Sequence, residues 1–343
     1  MDPKIRRTYV PKVRTMIGSI VFILLLVAGV KLFLWTSSFI KDTGLSPGTI
    51  VRLMINTGAP LKATDDRTNV LLLGVGGGDH EGSDLTDTIM VLSFQTGKHT
   101  LSMISVPRDV WSDTLKDKVN SAYHYGEEKK KGGGIVLSKA IIEDVVGLPI
   151  HYAMAIDFSG FQKIIDLASG IDVNVSTAFT DSEFPIPGKE KDLCDGDLQY
   201  RCRYETVTFI QGWQRMDGRR ALTYVRSRHA EGEEGTDFAR GNRQQEVLVA
   251  LKNELVSTKF FLAPSRVLSL KKAFDDATQS DMRIGELATI GKLFLRTKEE
   301  GVQRVSIQSL LVDPPLWMYG RYVLIPKDDF PAIHNYIRSQ LPK

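Results

Sequence analysis

At 343 residues, with 42% hydrophobic and 25% charged positions, the chain has the composition of a globular protein, long enough for one large domain or two small ones. Its net charge of +3 is too small to argue for a nucleic-acid partner. Part of that excess stands at the start, as Lys4, Arg6, Arg7, Lys12 and Arg14, directly before an apolar run.

The run extends from Met16 to Trp35, with Phe39 and Ile40 beyond it, and only Lys31 interrupts it. About 20 apolar residues are enough to cross a bilayer as a helix. A cleaved signal peptide is the alternative, but no small-x-small site follows and the run exceeds an ordinary h-region. The sequence therefore predicts a cytoplasmic basic tail over 1–15 and a retained transmembrane signal anchor over 16–40, with the rest of the chain on the outer side of the cell membrane. Residues 41–68 contain Pro47 and Pro60 and little periodicity beyond a possible helix near Thr49–Ile55. They predict an extracytoplasmic stalk.

A domain is expected over 69–343. Asn69–Gly74 reads N-V-L-L-L-G, a short apolar run typical of a buried strand. Ile89–Phe94 predicts a second strand, joined by a turn at Thr96-Gly97 to a third at Thr100–Val106. Pro107 stops the third strand and leaves Arg108 and Asp109 past its end, where ligands sit in α/β sheets. The glycines of Gly74–Gly78 lack both the G-K-S/T of a P-loop and the G-x-G-x-x-G spacing, which argues against a nucleotide. Asp79, Asp84 and Asp87 follow on the same loop. Hard oxygen ligands of this kind suit magnesium, which takes one or two carboxylates and leaves its other positions to water and phosphate. Asp beside Gly is also ordinary turn chemistry, so both readings stand.

Helical spacing over Ile135–Val146, ended by Gly147, is followed by a strand at Ile150–Ile156, a helix at Phe158–Leu167 and a strand at Ile171–Val175. The alternation predicts an α/β fold, a mixed β-sheet sandwiched by helices and preceded by one transmembrane helix. Cys194 and Cys202 lie in a Gly- and Asp-rich insertion at about 179–212, and in an oxidising compartment a disulfide between them is expected. Asp192, Asp195 and Asp197 lack the rest of an EF-hand pattern and read as a solvated acidic loop. Helices are expected at Ile284–Leu295 and Phe330–Gln340, with a strand at Tyr322–Ile325.

The stretch Asp217–Gln245 holds Arg219, Arg220, Arg226, Arg228, Arg240 and Arg243 and no Lys. Planar, forked donors suit phosphate or carboxylate oxygens. Asp217 is placed to cap a short helix, and an extended chain after it would point Arg226 and Arg228 to one side. Asp237 is expected to N-cap a long helix on which Arg240, Gln244, Val247, Leu251 and Leu255 form one stripe. Arg240 and Gln244 then face inward at the helix end that favours an anion. The plainer reading pairs these arginines with Glu231, Glu233, Glu234 and Asp237 in a solvated loop.

Several motifs in order carry a resemblance: N-V-L-L-L-G, L-T-D-T at Leu85–Thr88, S-V-P-R-D at Ser105–Asp109, K-V-N-S-A-Y from Lys118, D-F-S-G-F at Asp157–Phe161, D-G-R-R-A-L-T-Y-V-R-S-R, and D-F-A-R-G-N-R-Q. Over Asn69–Leu255 the chain resembles the LytR-CpsA-Psr family. The resemblance implies a membrane-anchored phosphotransferase that moves a glycopolymer from a polyprenyl pyrophosphate carrier to peptidoglycan or another wall acceptor, with Mg2+ and a possible pyrophosphatase side activity. It assigns Arg108, Arg226, Arg228, Arg240 and Gln244 to the pyrophosphate and Asp87 to the metal, with Arg243 a further substrate-binding candidate. Gly76 and Leu85 stand where the family usually has Asp and Arg, and Asp79 or Asp84 is the candidate replacement metal ligand. Val136, Leu137, Ile141, Val145 and Phe161 are candidates for an apolar tunnel, with core packing as the alternative. A non-catalytic polyprenyl-phosphate-binding or regulatory envelope protein is the rival function.

Overall fold

The computed structural model describes residues 59–342 apart from 78–83, 96 and 257–263, together with scattered positions between 26 and 58. The chain divides into two compact units, Met1–Gly58 and Ala59–Lys343. In the first, Leu26, Val27, Val30, Phe33 and Leu34 are helical and exposed. No described helix is long and apolar enough to cross a membrane. The basic tail and most of the anchor expected at 16–40 lie outside the described residues, as does most of the helix expected near Thr49–Ile55.

The second unit is built on six strands: β1 (Arg67–Val75), β2 (Thr86–Gln95), β3 (Thr100–Ser105), β4 (Tyr152–Asp157), β5 (Thr278–Ser280) and β6 (Val302–Ser306). They lie side by side in the order β5-β4-β1-β2-β3-β6. The β1–β4 and β3–β6 pairs are parallel, and the β1–β2, β2–β3 and β4–β5 pairs are antiparallel, so the sheet is mixed. The apolar run of β1 is nearly unbroken because both its faces are covered. Leu71, Leu73 and Val75 pack with Ile89, Val91 and Ile104 against α1 (Ala122–Lys129), α2 (Gly133–Val146) and α8 (Phe330–Gln340). Val70 turns the other way, toward Met90, Leu92, Phe94 and Met103, where α5 (Asp237–Val256) and α7 (Ile284–Arg296) supply Val249 and Ile290. Each such side chain stabilises the fold by roughly 1.5–3 kcal/mol relative to exposure.

A third cluster joins α3 (Phe158–Leu167) and α4 (Gly218–Arg226) to α5 and to the antiparallel ribbon of Ile171–Val175 and Gly212–Met216. Flanked by two clusters, α5 is buried around most of its circumference, and the single stripe expected on it is not what forms: Leu251 and Leu255 are only half-buried. The segment after Val256 completes the sheet at both edges, through β5 and β6, and also supplies α6 (Pro264–Ala277), α7 and α8. Of the strand expected at Tyr322–Ile325, only the two-residue piece Ile325–Pro326 forms, paired with Leu311–Val312, while Leu324 bridges to Val110.

The insertion is a hairpin of Phe179–Pro185 and Tyr204–Phe209, and a disulfide joins Cys194 to Cys202 near its tip with Cα atoms 5.5 Å apart. Asp192, Cys194 and Cys202 form the one close group of potential metal ligands among the described residues, but the two sulfurs are bonded to each other. Asp192 Oδ1 accepts from the Cys194 backbone and Asp197 Oδ2 pairs with Arg201 at 3.0 Å, so these carboxylates hold the turn. Closing so small a loop contributes about 2–3 kcal/mol, confined to the tip. Thiol labelling is expected to fail without reductant, and Cys194→Ser with Cys202→Ser to change turnover less than twofold while the tip becomes more susceptible to protease. Labelling of the unreduced chain, or a large loss of turnover, would contradict this.

Candidate active site

One end of the sheet gathers the C-terminal ends of β1, β3, β4 and β6 with the start of β2, because Val75 pairs with Thr86 and Asp157, and Ser105 with Met90 and Ser306. Asp87 is the second residue of β2 and therefore stands at this end. Pro107 halts β3, the chain turns (Val110 N–H to Pro107 O, 3.3 Å), and Arg108 swings over the strand ends. Its Nη1 lies 2.6 Å from Asp87 Oδ1, and its Nε lies 3.3 Å from Asp109 Oδ2 without hydrogen-bond geometry. Lys118 holds the other oxygen of Asp109 at 2.6 Å.

The arginine stretch reaches the same place from the opposite side. Asp217 caps α4 by accepting from the Arg220 backbone, and Arg226 ends the helix. Ser227 is extended (ψ 133°), which brings Arg228 round beside Arg226, and Arg228 Nη2 donates to Asp87 Oδ1 at 2.6 Å. Asp181 of the insertion, fully buried, accepts from the Arg228 and His229 backbone N–H groups at 2.9 and 3.2 Å and so fixes the turn. Arg226 has no carboxylate partner among the described residues; its guanidinium lies 4.5 Å from the Phe158 ring.

The cap of α5 differs from expectation. Thr236 is the N-cap, its Oγ1 accepting from the Ala239 N–H at 3.2 Å and its carbonyl from Arg240 N–H at 3.1 Å. Asp237 is thereby released from capping into the first turn, where it pairs with Arg240 at 2.7 Å. Arg243 corrects a second expectation. Its Nε donates to Tyr224 O, its Nη1 to both the carbonyl and the carboxylate of Glu234, and its Nη2 to Ser227 O, all within 3.0 Å. With 3% of its side chain exposed it ties α4 and the turn after it to α5, and it does not line the cleft. The plainer acid-pairing reading thus holds for Arg243 and in part for Arg240.

A cleft open to solvent adjoins these groups, about 400 Å³ with its open part counted, and Arg226 and Arg228 are not part of its lining. Asp87, Arg108, Asp237 and Arg240 form its charged wall, Ile89, Val106, Pro107 and Phe238 its apolar one, and Gln244 lines it as well. The three loop carboxylates are not brought together. Asp84 is bound to His124 Nδ1 at 2.6 Å, and Asp79 lies outside the described residues. The tunnel candidates fall in different places: Ile141 and Val145 are core with Leu137 packed against them, Val136 is exposed, and Phe161 packs on the third cluster. Sequence reasoning did not single out Asp181, Lys118 or Phe158 for roles, although the last two stand in quoted motifs; nothing local marks Asp181.

Four cations (Arg108, Lys118, Arg228, Arg240) therefore pair with three carboxylates (Asp87, Asp109, Asp237), and Arg226 adds a fifth within the field of Asp87. Burial pushes the Arg240 guanidinium down to about 10; Asp237 opposes the shift and Arg228 and Arg108 add to it. Burial likewise lowers Arg226. Both remain cationic at neutral pH, in a setting that an added anion would relieve. For Asp87 burial acts upward, but Arg228 and Arg108 together outweigh it and hold the carboxyl below its usual range. A depressed carboxyl contributes stability that is present above the unfolded value of about 3.9 and lost as pH falls through the folded one. The melting-temperature gap between the wild type and Asp87→Asn is accordingly expected to be constant from pH 7 to about 5 and to shrink below about 4. A gap that widens in acid would refute the pairing.

As a magnesium ligand, Asp87 has one suitable oxygen. Oδ1 is taken by two guanidinium groups, whereas Oδ2 makes no hydrogen bond to a described residue. A lone cation beside four arginines would be repelled, so the residues fit a metal that arrives shared with phosphate oxygens.

The architecture is thus a mixed α/β sheet with guanidinium groups gathered at one end of its strands beside a partly buried cleft. The chain belongs to the LytR_cpsA_psr family, whose sequence pattern matches residues 48–330. It is 29% identical over 230 residues to the polyisoprenyl-teichoic acid–peptidoglycan teichoic acid transferase TagU of Oceanobacillus iheyensis, covering 66% of this chain and 62% of that protein. It is also 29% identical over 231 residues to the regulatory protein MsrR of Staphylococcus aureus, covering 66% and 60%. The chain thus spans less than two thirds of the length of these relatives. Its fold matches that of B. subtilis TagV (TM-score 0.57, 21% identity, 81% of this chain and 98% of that one) and of TagT bound to LI-WTA (0.55, 21%, 82% and 94%).

Proposed function

We propose that this chain is a membrane-anchored phosphotransferase that moves a glycopolymer from a polyprenyl pyrophosphate carrier to a cell wall acceptor such as peptidoglycan. The observation that carries this reading is the excess of positive charge: Arg226 has no carboxylate at ion-pair distance among the described residues, and Arg240, although paired with Asp237, is buried beside Arg228 and Arg108. A pyrophosphate satisfies both, and the transferase among the relatives is named for a polyisoprenyl-teichoic acid donor. The apolar run at 16–40 supports the anchor.

In this reading Arg108 and Arg228, locked by Asp87, and Arg240 and Arg226 grip the two phosphates. An acceptor hydroxyl forms a bond to the phosphorus that carries the sugar, the bond to the bridging oxygen breaks, and polyprenyl phosphate leaves with the electron pair. The hydroxyl proton passes to solvent. Negative charge grows on the leaving phosphate, and guanidinium groups fixed in advance stabilise it without reorganisation. A magnesium ion held through Asp87 would add Lewis-acid neutralisation of the same charge. Attack by water in place of the acceptor would appear as a pyrophosphatase side activity.

Arg226→Lys tests the clamp. Lys keeps the charge but presents one ammonium in place of a fork. Turnover of a lipid-linked glycan by the full-length chain in detergent is expected to fall at least tenfold, about 1.4 kcal/mol, while the melting temperature moves little because only the ring contacts with Phe158 and Phe184 are altered. Wild-type turnover in this variant would remove Arg226 from the clamp. Tight binding of the donor by the wild type with no turnover would put the regulatory lipid-binding reading in its place.

A further inference from the structure

Three consecutive apolar side chains stand outside the packing of the domain. Leu316, Trp317 and Met318 are 63%, 81% and 50% exposed, and Val312 and Tyr322 to either side of them in the chain are open as well. They ride on a single helical turn, Leu316–Tyr319, that follows Pro314 and Pro315 and is closed by Gly320 in the left-handed region (φ 71°). The turn is fixed from within. Met318 N–H donates to Pro315 O at 3.0 Å and Gly320 N–H to Leu316 O at 2.7 Å, the Tyr319 ring lies edge-on to Trp111 at 4.8 Å, and Arg321 reaches Asp117 at 2.8 Å. Tyr319 and Arg321 thus hold the turn, while the three residues before Tyr319 project to solvent. A run of exposed apolar side chains on a fixed turn serves no core and points to a contact.

This turn belongs to the end of the sheet that carries the arginines. Trp111 N–H donates to Leu324 O at 2.8 Å and Leu324 N–H to Asp109 O at 2.9 Å, which ties the segment to the turn holding Arg108. Lys118, the partner of Asp109, lies 5.8 Å from the Tyr322 ring, and burial, with the fields of Asp237, Asp109 and Asp313, pushes the Tyr322 hydroxyl up. The chain enters the domain at the other end, through Thr64 bridged to Arg67 at the start of β1. Between the apolar run ending at Ile40 and Ala59 stand about 18 residues, which reach at most about 60 Å, twice the roughly 30 Å length of β1. A tether of that reach leaves the arginine end free to face the bilayer or to turn away from it. A polyprenyl donor, however, keeps its pyrophosphate at the bilayer surface, because its chain stays in the apolar phase. Some surface at the arginine end must therefore hold that end to the lipid.

We propose that Leu316, Trp317 and Met318 insert into the interface of the bilayer that carries the donor and hold the arginine end against it; the proposal rests on the membrane-anchored reading above. The side chains select this occupant. Trp settles at the level of the headgroups, where an apolar body and a polar tip are both met, and Leu and Met enter the acyl boundary. A turn that thrusts three consecutive side chains outward suits a fluid that closes around it, whereas a folded partner would need a matching pocket. Asp313 and Arg321 beside the turn cancel in charge, so the contact is apolar and independent of anionic lipid. Because the anchor already confines the domain to the membrane, a small patch is enough to set its orientation.

The test uses the full-length chain in bilayer nanodiscs of phosphatidylcholine, with or without phosphatidylglycerol. Acyl chains brominated near the headgroup quench tryptophan on contact. The Trp317 component is the difference between the wild type and Trp317→Phe, in which Trp35, Trp111 and Trp213 cancel. Brominated lipid is expected to quench at least about half of it, equally in both compositions. Leu316→Ser with Trp317→Ser should lower turnover of a bilayer-borne polyprenyl donor at least tenfold and keep turnover of a geranylgeranyl-linked donor in detergent within twofold. Its melting temperature should hold, since both side chains are exposed. Absence of Trp317 quenching, or equal loss of turnover in bilayer and detergent, would overturn the proposal. Unquenched Trp317 in a chain whose double variant no longer sediments with peptidoglycan would assign the turn to wall glycan, and unquenched Trp317 with loss of cross-linking between copies would assign it to a second chain; either result overturns the bilayer contact. A wild type inactive on both donors would bring down the transferase reading, while quenching of Trp317 would still report the contact.

Discussion

Asp87→Asn is expected to lose at least about a hundredfold in donor turnover, roughly 2.7 kcal/mol of transition-state stabilisation. Asp87 Oδ1 accepts at 2.6 Å from both Arg108 Nη1 and Arg228 Nη2, so a single oxygen sets the spacing of two clamp residues that stand in the turns after β3 and α4. An amide oxygen can still accept, but without charge, and the amide nitrogen repels whichever guanidinium it faces. The two arginines then repel one another in a partly buried space and move apart, so the phosphates meet a mis-set pair. Oδ2, the one oxygen suited to a metal, is lost as well if the nitrogen takes its place. The measurement is turnover as a function of magnesium concentration. A loss that excess magnesium restores would assign Asp87 to the metal alone, a loss independent of magnesium would assign it to the arginines, and wild-type turnover would exclude it from the site.

Arg243→Ala is expected to destabilise the domain by about 3–5 kcal/mol, the range for removing one partner of a buried, charged network. The change strands the carbonyls of Tyr224 and Ser227, and it removes from Glu234 its only ion-pair partner among the described residues. It also opens a gap against the Phe179 ring, 4.6 Å from the guanidinium. Arg243→Lys should recover little, because one ammonium cannot reach four acceptors set around a planar fork. Denaturant melts measure this directly. The activity that remains in conditions where the variant is folded should lie near that of the wild type, because the Arg243 guanidinium is already engaged by Tyr224, Glu234 and Ser227. A stable Arg243→Ala that fails to bind the donor would return Arg243 to substrate binding.

These two arginine-centred outcomes divide what could be read along the chain from what could not. Local signals were legible. Asp157 and Asp329 cap α3 and α8 by accepting from backbone N–H groups three residues on, and the bounds expected for both helices, Phe158–Leu167 and Phe330–Gln340, are those observed. The strands β1 to β3 were legible because both of their faces are buried, which forces continuous apolar runs. The family was legible because its motifs occur in order, and they carry Arg108, Arg226, Arg228, Arg240 and Asp87 to one end of one sheet.

Tertiary structure decided the rest. Arg240 and Arg243 stand one turn apart on α5, and both are buried, so helical period alone predicts the same fate for each. Arg240 meets a cleft, whereas Arg243 meets the carbonyls of Tyr224 and Ser227, and that difference depends on where α4 ends against α5. Asp84 and Asp87 share a loop in sequence, but β2 carries one to two arginines while His124 takes the other. β5 and β6, short and polar at the sheet edges, have no apolar signature, since an edge strand is specified by a neighbour's unpaired backbone groups more than by its own side chains. Motif and period determined which residues gather at the sheet's end; the packing of α4 and α5 against it determined which of them face a ligand, because a guanidinium takes whatever acceptor the adjoining element presents.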